Sequence, residues 1–172
     1  IFLCAVPMFL ITTNVWWAVN ELRLYSYGFD KYNISGVTGI QKDELMRAAR
    51  QIRAYFHNDE ELLDVEVNVG GNGGKRSIFN VREILHMRDV KGLVEGVHRA
   101  QRASGSYLLA YVLVGFLISK RTFWRQFARR AIWSSLGTLG LVILVGILSM
   151  VGFDQLFLVF HEVSFSNTLW QL

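Results

Sequence analysis

The chain has 172 residues, of which 52% are hydrophobic and 19% are charged, and its 18 Lys and Arg against 14 Asp and Glu give a net charge of +4. Five of the basic residues fall within residues 120–130, which leaves 13 basic and 14 acidic residues elsewhere. The charge is therefore local, and it argues against nucleic-acid binding, which needs an extended basic face. The single cysteine, Cys4, excludes a disulfide framework within the chain and a cysteine-based zinc site.

Three long apolar runs predict transmembrane helices. They cover residues 1–20, 103–119 and 131–153, and none contains a charged residue. A helix rises about 1.5 Å per residue, so about 20 residues span a hydrocarbon core about 30 Å thick. The first run is longer than the apolar part of a signal peptide and ends in Trp16 and Trp17 rather than at a small-residue cleavage site. We therefore expect a retained helix with an interfacial aromatic belt.

The basic segment between the second and third runs predicts the orientation. Residues 120–130 contain five basic residues and no acidic one. Under the positive-inside rule, this segment is a cytoplasmic loop. Alternation of the crossings then places residues 21–102 and residues 154–172 on the outer face. The first of these segments is long enough for a small cap.

The predicted cap combines helices with a hairpin. Residues 41–56 have apolar side chains at helical spacing, which predicts an amphipathic helix. Residues 64–69 alternate polar and apolar side chains, a glycine-rich turn follows at 70–74, and residues 76–79 could return as a second strand. The glycines before Lys75 suggest a phosphate-binding loop, but Arg76 stands where that motif needs Ser or Thr, so we expect no nucleotide site.

A third cap element begins at Asn80. Asn80 and Glu83 have the spacing of a capping box, which predicts the start of a helix that continues to about Arg102 and into the second crossing. His86 lies three residues after Glu83 and three before Asp89. A carboxylate at that spacing can accept a hydrogen bond from one imidazole nitrogen and so determine which nitrogen accepts a proton.

A second histidine, His161, lies among aromatic residues near the end of the chain. Packing or membrane anchoring would explain the rings but not the histidine. His161-Glu162 begins like a zinc-peptidase motif, but Phe165 occupies the second ligand position, so a classical zinc site is not expected. A two-histidine metal site with Asp89 or Glu162, and an acyl-enzyme route through Ser164, remain alternatives. The surrounding aromatic residues are Phe153, Phe157, Phe160 and Phe165, and Trp170 follows further along the chain.

Two stretches resemble the signature segments of the bacterial lipoprotein intramolecular transacylase family. They are residues 80–91 (NVREILHMRDVK) and residues 157–170 (FLVFHEVSFSNTLW). The resemblance implies an α-helical integral membrane protein with a small extracellular α+β cap. For this chain the resemblance implies three transmembrane helices and a fourth that would follow Leu172. It also implies a bacterial cell membrane location, with the active site at the extracellular face.

The same resemblance implies the reaction and its residues. The family moves the sn-2 acyl chain of a diacylglyceryl-modified lipoprotein onto the α-amino group of its N-terminal cysteine, which gives the lyso-form lipoprotein. Its catalytic histidines correspond to His86 and His161, with no metal or other cofactor. Lipoprotein and membrane lipid are the expected partners. We expect supporting roles for Glu83, Asp89 and Asn167, and substrate contacts from Arg82, Phe157, Phe160, Phe165 and Trp170.

The expected chemistry needs no enzyme nucleophile. An α-amino group has a pKa near about 8, so one histidine can accept its proton while the other donates to the leaving alkoxide or to the oxyanion. Amine and ester belong to one substrate, and good orientation alone corresponds to effective molarities on the order of 10⁵ M or more. The spacing does not assign base and acid. A membrane protein whose cap binds a lipid or protein partner without catalysis is the alternative function.

Overall fold

The computed structural model describes residues 1–68, 74–118 and 121–171, and these residues are mostly helical. Their elements in chain order are α1 (Phe2–Asn20), α2 (Leu22–Lys31), α3 (Ile34–Thr38), α4 (Lys42–Tyr55), β1 (Glu66–Asn68), β2 (Lys75–Ser77), α5 (Val81–Ile118) and α6 (Arg121–Ser164). The chain divides into two compact units. We call Ile1–Val15 with Gly96–Ser166 the helical unit, and Trp16–Glu95 with Asn167–Leu172 the mixed unit.

Long apolar helices form the helical unit. Among the described residues, two helices are long and apolar enough to cross a membrane, α1 and α6. They contain the first and third predicted runs, whose helical structure is confirmed. The second run forms the last part of α5, which continues without interruption from the predicted cap helix to Ile118. Ser119 lies outside the described residues, and the crossing of this run stays a prediction.

The conformation of the basic segment differs from the sequence prediction. Lys120 lies outside the described residues, but α6 begins at Arg121, so residues 121–130 are helical and the predicted loop is wrong. Arginine, glutamine and alanine favour helices, and no Gly or Pro interrupts this segment. Near the other end of α6, Gly152 has non-helical backbone angles (φ −154°, ψ 59°), one residue before the predicted end of the third run. The helix resumes and extends to Ser164.

Polar contacts between helices help to hold the helical unit together. Gln101 Nε2 on α5 donates to Thr13 Oγ1 on α1 at 3.1 Å, and Ser134 Oγ on α6 donates to the Leu3 carbonyl at 2.9 Å. At Gly105, an added Cβ would lie 2.8 Å from the Phe9 ring. Small residues and interhelical hydrogen bonds are typical of membrane helix packing, where apolar burial against lipid gives little driving force.

The core of the mixed unit confirms the amphipathic helix. Helix α4 buries Leu45, Ala48, Ala49 and Tyr55 on one face. Val65 and Val67, each 1% exposed, belong to the same core as Ala48 and Tyr55. The acidic neighbours of these valines are exposed, as the period-two pattern requires. The pattern in the sequence is therefore enough to identify both the helix and its inner face.

The predicted hairpin is also confirmed. Strands β1 and β2 pair antiparallel, with Glu66 opposite Ser77 and Asn68 opposite Lys75. The predicted strand residue Val69 and most of the glycine-rich turn lie at 69–73, outside the described residues. The hairpin packs through its β1 valine into the core that also receives Val94 from α5. This core supports the part of α5 that carries His86.

Candidate active site

The start of helix α5 is fixed by a reciprocal cap. The Asn80 amide donates to Glu83 Oε2 at 2.6 Å, and the Glu83 amide donates to Asn80 Oδ1 at 3.0 Å. This is the predicted capping box. His86 follows one turn later, partly buried, with its Nδ1 atom shielded from solvent. His86 therefore lies near the N-terminus of a helix whose start is fixed by a capping box.

The last described residues dock onto this same part of α5, within the mixed unit. Asn167 Nδ2 donates to Asp89 Oδ2 at 2.7 Å, and Arg82 Nη2 donates to the Thr168 carbonyl at 2.5 Å. The sequence predicts supporting roles for Asp89 and Asn167 separately, and the structure brings them together. Arg82, predicted to contact substrate, is exposed and bonded to backbone.

Asn167 organises a compact turn, residues 167–170. Its Oδ1 accepts from the Leu169 amide at 3.0 Å, and its carbonyl accepts from Trp170 Nε1 at 2.9 Å. Trp170 is 9% exposed. The Asn167 side chain therefore bonds in two directions, inward to its own turn and outward to Asp89. We call residues 167–170 the Asn167 turn.

In the helical unit, His161 lies in the last turn of α6. Its Nδ1 is 2.8 Å from the Phe157 carbonyl. A carbonyl only accepts hydrogen bonds, so Nδ1 carries the proton in the neutral ring and Nε2 is the proton-accepting nitrogen. The ring centroid of Phe157 lies 3.9 Å from that of His161. The Phe160 and Phe165 centroids lie at 5.2 and 5.6 Å, so three of the predicted rings lie close to His161. Phe153 contacts Phe157.

His57 offers a useful comparison because it shares one feature of His161. Its Nδ1 lies 2.8 Å from the Arg53 carbonyl, again four residues earlier. The His57 ring is exposed and lies 5.1 Å from the Trp16 ring. The sequence suggests no catalytic role for His57. The i−4 backbone bond is therefore shared by both histidines, and the difference described between them is the three phenylalanine rings near His161 against the Trp16 ring near His57.

Sequence reasoning missed Lys91. A lysine on an amphipathic helix is ordinarily a solvated charge, but Lys91 is 7% exposed. Its Nζ donates to the Glu60 carbonyl at 2.7 Å and to Asn58 Oδ1 at 3.1 Å, and it lies 4.2 Å from the centre of the Tyr55 ring. Burial raises the pKa of the Tyr55 hydroxyl, which donates to the Glu61 carbonyl. Lys91 does share the α5 face of the apolar Met87 and Val94, but that spacing alone does not identify its partners.

The remaining predicted alternatives concern Glu162 and Ser164. Glu162 is exposed and Ser164 partly buried at the end of α6. Within residues 1–68, 74–118 and 121–171, no group of three or more His, Cys, Asp or Glu side chains is arranged to hold a metal ion. Neither residue gains a contact from the structure that would assign it a role.

Long apolar helices together with a small helix-and-hairpin unit are the features of an α-helical integral membrane protein. The fold is similar to that of the membrane integral lipoprotein intramolecular transacylase Lit from Bacillus cereus, with 17% sequence identity, a TM-score of 0.78, and coverage of 99% of this chain and 73% of that one. A structure of the same protein with a histidine-to-alanine mutation matches with 16% identity and a TM-score of 0.72, covering 96% and 69%. At these identities, the likeness establishes the fold.

The family comes from the sequence. The model of the lipoprotein intramolecular transacylase Lit family matches residues 1–172. The chain therefore belongs to this family and is a membrane-bound acyltransferase, as the two signature stretches predict. This membership decides between the two function classes in favour of an enzyme. The comparison with curated protein sequences finds no match.

Proposed function

We propose that this chain moves the sn-2 acyl chain of a diacylglyceryl-modified lipoprotein onto the α-amino group of the N-terminal cysteine of that lipoprotein. The product is the lyso-form lipoprotein. The observation that carries this proposal is the family match over all of residues 1–172. The reaction needs a membrane-embedded enzyme because both the donor ester and the acceptor amine are anchored to lipid. The apolar helices α1 and α6 meet that requirement.

The proposed topology has three crossings: α1, the last part of α5, and α6. The basic residues 121–130 would lie on the cytoplasmic side, as the positive-inside rule requires. The mixed unit and the end of α6 would then lie on the extracellular face. This places His86 and His161 on the side of the membrane where lipid-modified lipoproteins are displayed.

His161 is the proposed general base. Its Nδ1 points at the Phe157 carbonyl, so its Nε2 is the nitrogen that accepts a proton. Three phenylalanine rings lie around the imidazole and would limit the access of water once the acyl chains of a substrate cover them. Exclusion of water protects the ester from hydrolysis while the amine attacks. The local geometry thus prepares one nitrogen for one proton transfer.

His86 is the proposed partner in the same reaction. The amine nitrogen forms a bond to the ester carbonyl carbon, and its proton passes to His161. The bond between that carbon and the sn-2 oxygen then breaks, and a proton donated from His86 converts the leaving alkoxide to a hydroxyl. Both histidines must reach one substrate for this to work, which is part of the proposal. No covalent enzyme intermediate, metal or other cofactor is required.

Other residues would position the substrate and the histidines. Phe157 and Phe160 are 41% and 50% exposed, which leaves apolar surface to contact acyl chains. Phe165 and Trp170 are buried, and we propose that each contributes apolar surface to substrate binding. Arg82 would orient the substrate headgroup or peptide. Glu83 supports His86 through the helix cap, and the supporting pair Asp89 and Asn167 acts through its hydrogen bond.

Mass spectrometry of a co-expressed lipoprotein tests the proposal. Transfer leaves the total mass unchanged but moves one acyl group to nitrogen, so fragmentation separates N-acyl from diacylglyceryl forms. We expect His86→Ala and His161→Ala each to lower the rate of transfer by about 100-fold or more, the usual contribution of general acid or base catalysis. His57→Ala is the matched control, because His57 shares the i−4 backbone bond of His161.

The same measurement separates the chemical alternatives. Ser164→Ala should retain transfer, whereas a covalent route through Ser164 requires its loss. Unchanged transfer after removal of either imidazole would contradict the assigned roles. If the co-expressed lipoprotein keeps its diacylglyceryl form in the presence of the parent protein, the proposed function is wrong.

A further inference from the structure

An apolar cavity lies in the helical unit at the end that carries the basic segment. Its volume is about 340 Å³, and its walls come from the last turns of α5 and the start of α6. Tyr107, Ala110, Tyr111, Val114, Gly115, Ile118 and Phe123 form the lining. A Cβ added at Gly115 would overlap the Phe123 ring, so the glycine allows this ring to close one side of the cavity. The lining is almost wholly apolar, and its polar side-chain groups are the hydroxyls of Tyr107 and Tyr111.

The guanidinium of Arg130 lies beside the Tyr111 hydroxyl. Arg130 Nη1 donates to the Tyr111 hydroxyl at 2.7 Å, on the same side of α6 as Phe123 and Phe127. A guanidinium has five N–H donors in a planar fork, so the bond to Tyr111 leaves donors that can bind a phosphate group. A ligand with its apolar part in the cavity would therefore have its anionic group at Arg130.

The charge at this end of α6 has one sign. Arg121, Arg125 and Arg129 are exposed at four-residue spacing, which puts them on one face of the helix, different from the face of Phe123 and Phe127. No acidic residue occurs from Gly96 to Ile118 or from Arg121 to Phe153. Anionic lipids are attracted to basic clusters beside membrane helices, by about 1 kcal/mol per basic residue near the surface. The arginines are thus complementary to an anionic headgroup at this end of α6, whereas the acidic residues of the helical unit, Asp154 and Glu162, lie towards its other end.

The almost wholly apolar lining fits an acyl chain, which needs no hydrogen-bond partner along its length. Phe123, which lines the cavity, contacts Trp124 and Phe127 at this end of α6, and Trp is enriched at membrane–water interfaces.

From these observations we propose that the cavity binds one acyl chain of an anionic phospholipid whose phosphate contacts Arg130. This site is distinct from the proposed site of acyl transfer. Arg130 and His161 belong to the same helix, 31 residues apart in the sequence, which corresponds to about 45 Å of helix length. The bound lipid would anchor the basic end of the helical unit and would not be consumed.

Native mass spectrometry of the purified protein in neutral detergent tests this site. Phosphatidylglycerol and phosphatidylcholine with identical acyl chains are titrated separately, and inorganic phosphate forms a third arm. The protein should retain phosphatidylglycerol at least about fivefold more strongly than phosphatidylcholine. Arg130→Gln should lower the affinity for phosphatidylglycerol about fivefold, the factor expected for one basic residue. Arg50→Gln, at an exposed position of α4, should have less than about a twofold effect.

A second pair of variants tests the cavity itself. Ala110→Phe places a ring in the cavity and should reduce retention of phosphatidylglycerol further than Leu144→Phe, a change at a 53% exposed position of α6. Equal retention of the two lipids by the parent protein would overturn the proposal, as would equal effects of the paired variants. Displacement of phosphatidylglycerol by inorganic phosphate alone would also overturn it, because that would show an anion site without a lipid. None of these outcomes bears on acyl transfer.

Discussion

The surroundings of His86 and of His161 differ in how far along the chain their contacts reach. The hydrogen bond and ring contacts described for His161 join residues at most four positions apart. The α5 segment of His86 is instead tied to the Asn167 turn across 78 and 86 positions. The contacts described for His161 therefore follow from the local sequence of one helix end, whereas the α5 segment of His86 also receives a segment that returns from far along the sequence.

The largest expected effect is the loss of the Asn167 turn. Trp170→Ala removes a buried ring, and truncation of a buried tryptophan costs about 3 to 5 kcal/mol. We expect a clear fall in the melting temperature and a strong fall in acyl transfer, because the Asn167 turn would no longer pack on α5. Trp133→Ala, at a 66% exposed position, is the control and should change both little. Equal melting temperatures of the two variants would show that the turn does not hold α5.

The next effect isolates one hydrogen bond of that turn. Asp89→Ala and Asn167→Ala should each lower stability, and the double variant should be less destabilised than the sum of the two. The bond has a charged acceptor and a length of 2.7 Å, so we expect a coupling free energy of about 0.5 to 3 kcal/mol in a double-mutant cycle. Denaturant unfolding in detergent gives the four free energies. Additive effects would mean that the bond does not connect the two segments in solution.

The next prediction compares the buried Lys91 with the exposed Lys42. Lys91→Met keeps the apolar stem but removes the ammonium group that bonds to Glu60 and Asn58, which should cost about 1 to 3 kcal/mol. Lys42→Met removes an exposed ion pair with Asp30, 2.7 Å long, and should cost only about 0 to 1 kcal/mol. The same unfolding measurement compares them. A smaller effect at Lys91 than at Lys42 would contradict the role of this buried cation.

The features that the sequence predicts correctly are those with short-range causes. The Asn80–Glu83 cap, the valine alternation of β1 and the rings around His161 all depend on residues within a few positions of one another. Their geometry follows from helix and strand periodicity alone. The family itself was predictable for the same reason, since two contiguous stretches carry the resemblance.

The features that were missed depend on tertiary contacts. Asp89 and Asn167 could be named separately, but nothing local pairs residues 78 positions apart. Lys91 looks like a surface charge until Asn58 and Glu60 are seen beside it. The segment 121–130 shows a different limit, because its charge predicts a membrane side whereas its helix propensity decides its conformation.

The smallest expected effect comes from the ion pair of Glu21 and Arg23, which are two residues apart, in contrast to the long-range contacts above. Glu21 accepts from Arg23 Nε at 2.9 Å and Nη2 at 2.7 Å, and these bonds lower the pKa of the Glu21 carboxyl to about 2. A depressed pKa stabilises the folded state above the unfolded value of 4.5, and this contribution is lost as the pH falls towards about 2. Glu21→Gln should therefore lower the melting temperature slightly at pH 7, and the difference from the parent should shrink below pH 4.5. A difference that stays constant from pH 7 to pH 3 would mean that Glu21 acts through its shape as a helix cap rather than through its charge.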